Sequence, residues 1–406
     1  MQARVIVLAA LILGCAGHGA AQDQLVSKGY DHFYNLEYDQ AIADFKANVA
    51  QHPDDPAAYD HLAHAILYRA LYRGGALESQ LVTGSNPFLR RDKVKTTPQE
   101  DQEFDDAINK SISLCREKLA TTPDAAGALS AVGVAYALRA NYNFLVRKAW
   151  IDALHDASRA NVALRKAMRL EPSDVDVRLI PGVYDYVVGS LPWAYHFLGF
   201  LAGFHGNRER GIHTLETVAR EGKSDSVDAQ ILLVVIYRRD KRPAEALPLL
   251  DDLIRLYPRN HLFRFEVVQM YSDLGDRDNA MREIDKIWML HDNSAPGYAH
   301  LMPEKIDYLE GNLLFWYNDL DQAEAHLKKA AVKAGSLDLN TAIMAWMRLG
   351  QTYDLQGQRK EAVAAYRQAM AMAPNSEVGK ESQRYIDHPY ERPQPAVAGE
   401  SAETRN

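Results

Sequence analysis

Cysteine is almost missing from this sequence: Cys15 and Cys115 are the two present among 406 residues. With one of them in the extreme N-terminal segment, a disulfide framework is excluded and stability must come from packing. Cys115 falls in the helical stretch Ile108–Leu119 and reads as a small buried hydrophobe. An excess of positive charge is also missing, since the formal net charge is −8; such a field disfavours nucleic acid or anionic lipid as a general partner. Signatures of catalysis are absent too. The chain has no His-Glu-x-x-His helix, no phosphate-binding Gly-x-x-x-x-Gly-Lys-Ser/Thr loop, no Gly-x-Ser-x-Gly elbow and no Cys-x-x-Cys pair. The sequence therefore gives no reason to expect an enzyme or a resident cofactor.

What is present is a chain able to fold. Hydrophobic residues make up 47% and charged residues 25%, the usual balance of a packed protein. The N-terminus has the look of an export signal, with Arg4, an apolar run Val5–Leu13 too short to span a bilayer, and small residues after it. Two processing routes fit. Gly19-Ala20-Ala21 suits cleavage before Gln22, whereas Ile12-Leu13-Gly14-Cys15 resembles a lipobox that would leave Cys15 lipidated. Residues 1–21 are thus expected to be a signal, 22–386 a folded array, and 387–406, rich in proline and charge, a disordered tail.

Within the array the same residue types recur at fixed offsets. Trp346, Leu349, Gly350, Tyr353, Gly357, Ala362, Tyr366, Ala369 and Pro374 form the clearest unit. Gly350 and Ala362 are small where two antiparallel helices must cross closely, and the aromatic residues fill the space between neighbours. Gly357 is placed to end the first helix in a left-handed conformation, and Pro374 to stop the second. Leu233, Tyr237, Ala246, Leu250 and Pro258 repeat the pattern, followed by Val268, Tyr271, Gly275, Ala280 and Ile284. Ala246 and Ala280 are one period apart, about 34 residues. Gly311, Leu314, Ala323, Leu327 and Ala330 come after an insertion near 293–303 that should be a surface loop; Gly29, Phe33, Ala41, Phe45 and Pro53 open the array.

The middle is less regular. Pro56–Arg73, Phe104–Ala120, Gly127–Tyr142 and Lys148–Leu170 read as helices, and the stretch from Gly74 to Glu100 reads as a long loop whose cluster Arg90, Arg91, Lys93 and Lys95 is solvated. Val187–Phe204 is nearly uncharged, but Pro192 and His196 interrupt it. A helix buried between neighbours is the leading reading, beside an exposed apolar patch for a partner or lipid surface; a membrane span is the weakest. His61 and His64 share a helix face without an evident third metal ligand, so packing is the expectation there, with a metal-dependent enzyme using this pair the remote alternative.

These units resemble those of the tetratricopeptide-repeat (TPR) superfamily, and with the N-terminal signal the chain is similar to exported envelope TPR proteins of Gram-negative-type bacteria. The resemblance implies an all-α fold, a right-handed superhelix of helix-turn-helix repeats with a degenerate, longer-helix middle section. It implies a scaffold in the periplasm or at the outer membrane that binds a protein or peptide in a concave groove, with outer-membrane assembly or cell-wall association as the alternative. Carried over to this chain, the groove positions are Tyr30, Phe33, Tyr34, Arg238, Arg239, Gln269, Asp273, Asn312, Trp316, Gln351 and Asp354. Membrane association would come through lipid on Cys15 or through the 187–204 segment.

Overall fold

A computed structural model describes residues 24–77, 94–190 and 205–392. Every regular element among the described residues is helical, as the repeat pattern requires. The first stretch carries α1 (Gln24–Tyr34), α2 (Tyr38–Gln51) and α3 (Pro56–Arg73), followed by α4 (Pro98–Thr121), α5 (Ala126–Tyr142), α6 (Trp150–Leu170) and α7 (Leu179–Gly189). The next stretch holds α8 (Arg208–Glu221), α9 (Ser226–Arg239), α10 (Pro243–Leu256), α11 (His261–Asp273) and α12 (Arg277–Asp292). These belong to a unit ending at Leu301; a second unit, from Met302, carries α13 (Pro303–Trp316), α14 (Leu320–Val332), α15 (Leu339–Leu355), α16 (Arg359–Met372) and α17 (Glu377–Asp387).

The small residues do what their spacing anticipates. A Cβ added to Gly350 would lie 2.6 Å from the Tyr366 ring; at Gly29 it would meet Phe45 at 2.5 Å, at Gly133 Leu164 at 2.5 Å, and at Gly311 Leu327 at 2.8 Å. In each hairpin the first helix lacks a side chain where the second inserts one, so their axes approach closely. Ala41, Ala246, Ala280, Ala323 and Ala362, the matching small residues of the second helices, are all fully buried.

The turns inside the hairpins share one geometry. Leu36, Lys241, Gly275, Asn318 and Gly357 all have positive φ, between 59° and 75°. After each, the next N–H reaches back to a carbonyl five residues earlier: Glu37 to His32, Arg242 to Tyr237, Asp276 to Tyr271, Asp319 to Leu314 and Gln358 to Tyr353. This is the Schellman closure, which satisfies the carbonyls a helix end leaves open. Helix starts are secured as locally. Asp55 accepts from the Ala57 N–H ahead of Pro56, and Thr97 and Glu100 form a reciprocal capping box that starts α4 at Pro98, six residues before the expected Phe104.

Three expectations need correction. The 293–303 insertion is not simply a surface loop: Tyr298 and Leu301 are buried, and Gly297 passes so close to Arg259 that a Cβ would sit 1.9 Å from its carbonyl oxygen. Apolar anchors within the insertion hold it against the unit. Nor is the whole of 387–406 a free tail. α17 runs to Asp387, and the chain then packs down as far as Arg392, with Tyr390 buried. Thirdly, much of 74–100 was expected to be loop, but its end, from Pro98, is helical. Cys15, the cluster at 90–93 and most of the 187–204 stretch, from residue 191, lie outside the described residues.

Candidate functional site

In the first unit, the expected groove positions meet one another instead of facing outward. The end of α1 and the turn after it meet the start of α9 and the α10–α11 turn, far along the chain. The Tyr34 hydroxyl donates to Asp228 Oδ1 (2.8 Å), the Asn260 side-chain amide donates to the Tyr34 carbonyl (2.7 Å), and the Tyr34 ring lies 4.9 Å from that of Tyr257. Arg259 fastens the edge, donating to Glu37 (2.8 Å) and Asp31 (2.7 Å), while its backbone N–H donates to Asn35 Oδ1 (3.0 Å). Phe33 and Tyr34 are consequently buried and Tyr30 is half-buried. Between the two helix sets remains an apolar cavity of about 80 Å³ lined by residues that include Phe33, Tyr34, Tyr68, Val234 and Phe263.

Arg238 follows the same rule. It is buried, donating to Asp273 Oδ2 (2.8 Å) and Gln269 Oε1 (2.9 Å), with Glu266 at 3.6 Å. A desolvated guanidinium needs such partners, and these consume its donors. Gln269 is buried with it, Arg239 lies over the Tyr186 ring at 5.8 Å, and Asp273 is the exposed member of the set. Four of the expected unit-one groove residues, Phe33, Tyr34, Arg238 and Gln269, are therefore closed off by their own neighbours.

Beneath this closure lies a buried polar cluster that the spacing argument did not anticipate. Asp60, His61, His64 and Tyr68 line α3, with Asp225 and Asp228 at the start of α9. The His64 ring is 4.4 Å from that of Phe33 and 4.7 Å from that of Tyr68, and neither of its nitrogens has a hydrogen-bond partner among the described residues. Burial, helped by the nearby His61, pushes His64 down to about 3, so it is neutral. Burial pushes Asp228 up to about 8, against the lowering effect of the Tyr34 hydroxyl, and drives Asp60 and Asp225 well above the carboxylate range. No group of three metal-ligating side chains occurs among the described residues. Cys115, fully buried on α4, is pushed up to about 12 by burial and by Asp60, which suits an inert thiol.

The second unit is arranged differently. At the C-terminal ends of α13 and α15, the Arg348 guanidinium lies 4.4 Å from the centre of the Phe315 ring and 4.7 Å from that of Trp316. Its donors go to amide oxygens, Asn312 Oδ1 (2.8 Å) and Gln351 Oε1 (2.7 Å), and no ion pair compensates its charge among the described contacts. Burial lowers its affinity for the proton, but the two rings and two amides hold it as a cation. Trp316 is 49% exposed, while Asn312 and Gln351 are buried beneath it. Asp354, its carboxylate fully covered, accepts from Arg359 (2.9 Å), the Tyr366 hydroxyl (2.9 Å) and the Tyr390 backbone N–H (2.8 Å). The expected positions Asn312, Trp316, Gln351 and Asp354 thus form one contiguous patch, and the sequence argument had not included Arg348 or Phe315.

Two tetratricopeptide-repeat family models match the sequence, one over residues 199–261 and one over 343–376. The second covers the α15–α16 hairpin, with its Gly350–Tyr366 crossing and left-handed Gly357. The chain carries tetratricopeptide repeats over these two stretches. No curated protein matches it. Solved structures to which the chain is similar include the human IFIT1 dimer with m7Gppp-AAAA (14% identity, 91% of this chain and 81% of that chain, TM-score 0.45). Yeast Tom70 is another (14% identity, 89% and 94%, TM-score 0.40), as is a tetratricopeptide repeat protein from Parabacteroides merdae (13% identity, 90% and 98%, TM-score 0.32). TPR hairpins here serve two ends: in the first unit they enclose a core, and in the second they present a half-exposed aromatic and cationic patch.

Proposed function

We propose that this TPR protein is a non-catalytic scaffold that binds a polypeptide partner, and that the second unit carries the binding surface. The observation that carries this reading is the patch of Trp316, Phe315, Arg348, Asn312 and Gln351. It combines an exposed indole with buried, pre-oriented polar groups, the composition that dominates peptide recognition. The apolar run at Val5–Leu13 supports export, and with it a working location in the periplasm or at the outer membrane. Lipid on Cys15 is the route by which it would associate with a membrane; no described helix is long and apolar enough to cross one.

A photo-crosslinking side chain placed at Asp273 in the first unit and at Trp316 in the second, in intact cells, tests the assignment. Capture of a polypeptide from 316 and not from 273 is the expected result. Equal capture from both, or none from 316, refutes it. Fractionation with and without Cys15→Ala tests the location, a cytoplasmic product being the refuting outcome.

A further inference from the structure

The patch of the second unit is already covered by the protein's own chain. After α17 the backbone is extended, with His388 at φ −134° and ψ 125°. It turns back over the ends of α13 and α15. Arg359 holds its entry by donating to the Ile386 carbonyl (2.6 Å), and the Tyr390 N–H donates to Asp354 Oδ2 (2.8 Å). The Tyr390 ring, buried, sits 5.9 Å from the Phe315 ring and edge-on to Tyr385 at 5.3 Å. Two residues on, the Arg392 guanidinium lies 4.9 Å from the Phe315 ring centre and donates to the carbonyls of Phe315 (2.5 Å) and Trp316 (3.3 Å). Side chains two apart on an extended strand point to the same side, so one aromatic and one cation engage the surface together while Glu391 between them stays exposed.

We propose that this surface binds extended peptides bearing an aromatic residue followed two positions later by a cation, and that residues 388–392 occupy it in cis as a built-in competitor. The inference rests on the peptide-binding reading above and adds the ligand class and its regulation. Several contacts are of a kind a separate peptide reproduces: a backbone N–H to Asp354, a ring against Phe315, and a guanidinium on the carbonyls at the end of α13, where the helix dipole favours positive charge. Arg348, buried against the Phe315 and Trp316 rings, keeps those rings oriented whichever chain lies above them. A tethered segment acts at an effective concentration in the millimolar range, so it outcompetes a free peptide of equal contacts.

The test uses the full-length protein, its Tyr390→Ala/Arg392→Ala variant, and two fluorescein-labelled peptides. One has the sequence Ile-Asp-His-Pro-Tyr-Glu-Arg-Pro-Gln and the other carries Ala for its Tyr and Arg. Fluorescence anisotropy should show the variant binding the first peptide with one-to-one stoichiometry, at least about tenfold more tightly than the unaltered protein and about tenfold more tightly than it binds the second. Adding Phe315→Leu to the variant, which keeps apolar volume but removes the ring that both side chains touch, should sharply narrow the difference between the peptides. Equal binding of both peptides by a variant that keeps the hydrogen-exchange protection of α13 and α15 overturns the proposal. Should the variant not fold, the unaltered protein decides: millimolar first peptide must raise amide exchange across 388–392, and unchanged exchange overturns the proposal. Purified components suffice, so failure here is separable from failure to capture a partner in cells.

Discussion

Asp228 makes the stability of the first unit depend on pH in a direction opposite to that of an ordinary ion-paired carboxylate. It sits fully buried at the start of α9, accepting from the Tyr34 hydroxyl, with Asp176 and Asp225 as its acidic surroundings and no cation paired with it among the described contacts. The α9 dipole favours its charged form by about 0.3–1 kcal/mol. Burial opposes this and prevails, since the group titrates near 8 in the folded chain and near 4 when unfolded. The native state therefore holds a proton that the unfolded state has released, so the contribution is present at low pH and is lost as pH rises through 8. Between pH 6.5 and 8 the loss is roughly 1.5 kcal/mol from this one group. Asp60 and Asp225, raised for the same cause, act with the same sign. Below pH 6.5 the neutral His64, held near 3, begins to oppose them, because the unfolded chain then binds a proton that the native ring refuses. Urea unfolding at pH 6.5, 7.25 and 8, for the unaltered protein and for Asp228→Asn, isolates the effect. Asparagine keeps an acceptor for Tyr34 but cannot ionise. The variant should gain on the unaltered protein by roughly 1.5 kcal/mol across that interval. Parallel pH profiles for the two proteins would refute the reasoning.

Other consequences are as direct. Gly350→Ala gains about 1 kcal/mol of helix propensity but drives its methyl into the buried Tyr366 ring, an overpacking cost of about 1–3 kcal/mol; a net loss in chemical denaturation is expected, and a stabilised variant would contradict the close crossing. Lys241→Gly removes left-handed strain at an exposed turn residue and should stabilise the first unit by about 0.5–1 kcal/mol, whereas Lys241→Val should destabilise it. Arg259→Ala should loosen the edge between α1–α2 and α11, seen as faster amide exchange in α1 with little change in α6; uniform protection would show the contact to be idle. Cys115 should resist thiol reagents in the folded protein carrying Cys15→Ser and react only on unfolding, so prompt labelling would contradict its burial.

Reading the sequence recovered the hairpins because their crossings demand small residues at fixed places, and Gly29, Gly133, Gly311, Gly350 and the buried alanines are visible as letters. The turns were only half visible. Gly275 and Gly357 announce a left-handed residue, but Leu36, Lys241 and Asn318 adopt the same conformation without glycine, since the Schellman bonds around them compensate the strain. The site was legible as positions and not as surface. Alignment to a repeat identified Tyr34, Arg238 and Gln269 correctly as first-helix residues, but an open groove requires that nothing else fill it, and non-local contacts are not written in a period. Asn312, Trp316, Gln351 and Asp354 do lie together; what covers them, a segment expected to be unstructured, is anchored by Tyr390 and Arg392, two residues that composition averages away.

The bonds joining Tyr34 to Asp228 and Arg259 to Glu37 span nearly 200 residues or more of sequence. A repeat array ordinarily tolerates loss of an end and lengthens by simple addition, because each hairpin touches only the next. Here the opening hairpin packs on α3 and also bonds to residues made two hundred positions later, so its contacts are complete only once those are present. The first unit should therefore fold late and slowly for a helical protein, as one cooperative block that neither shortening from its beginning nor inserting an extra repeat would leave intact.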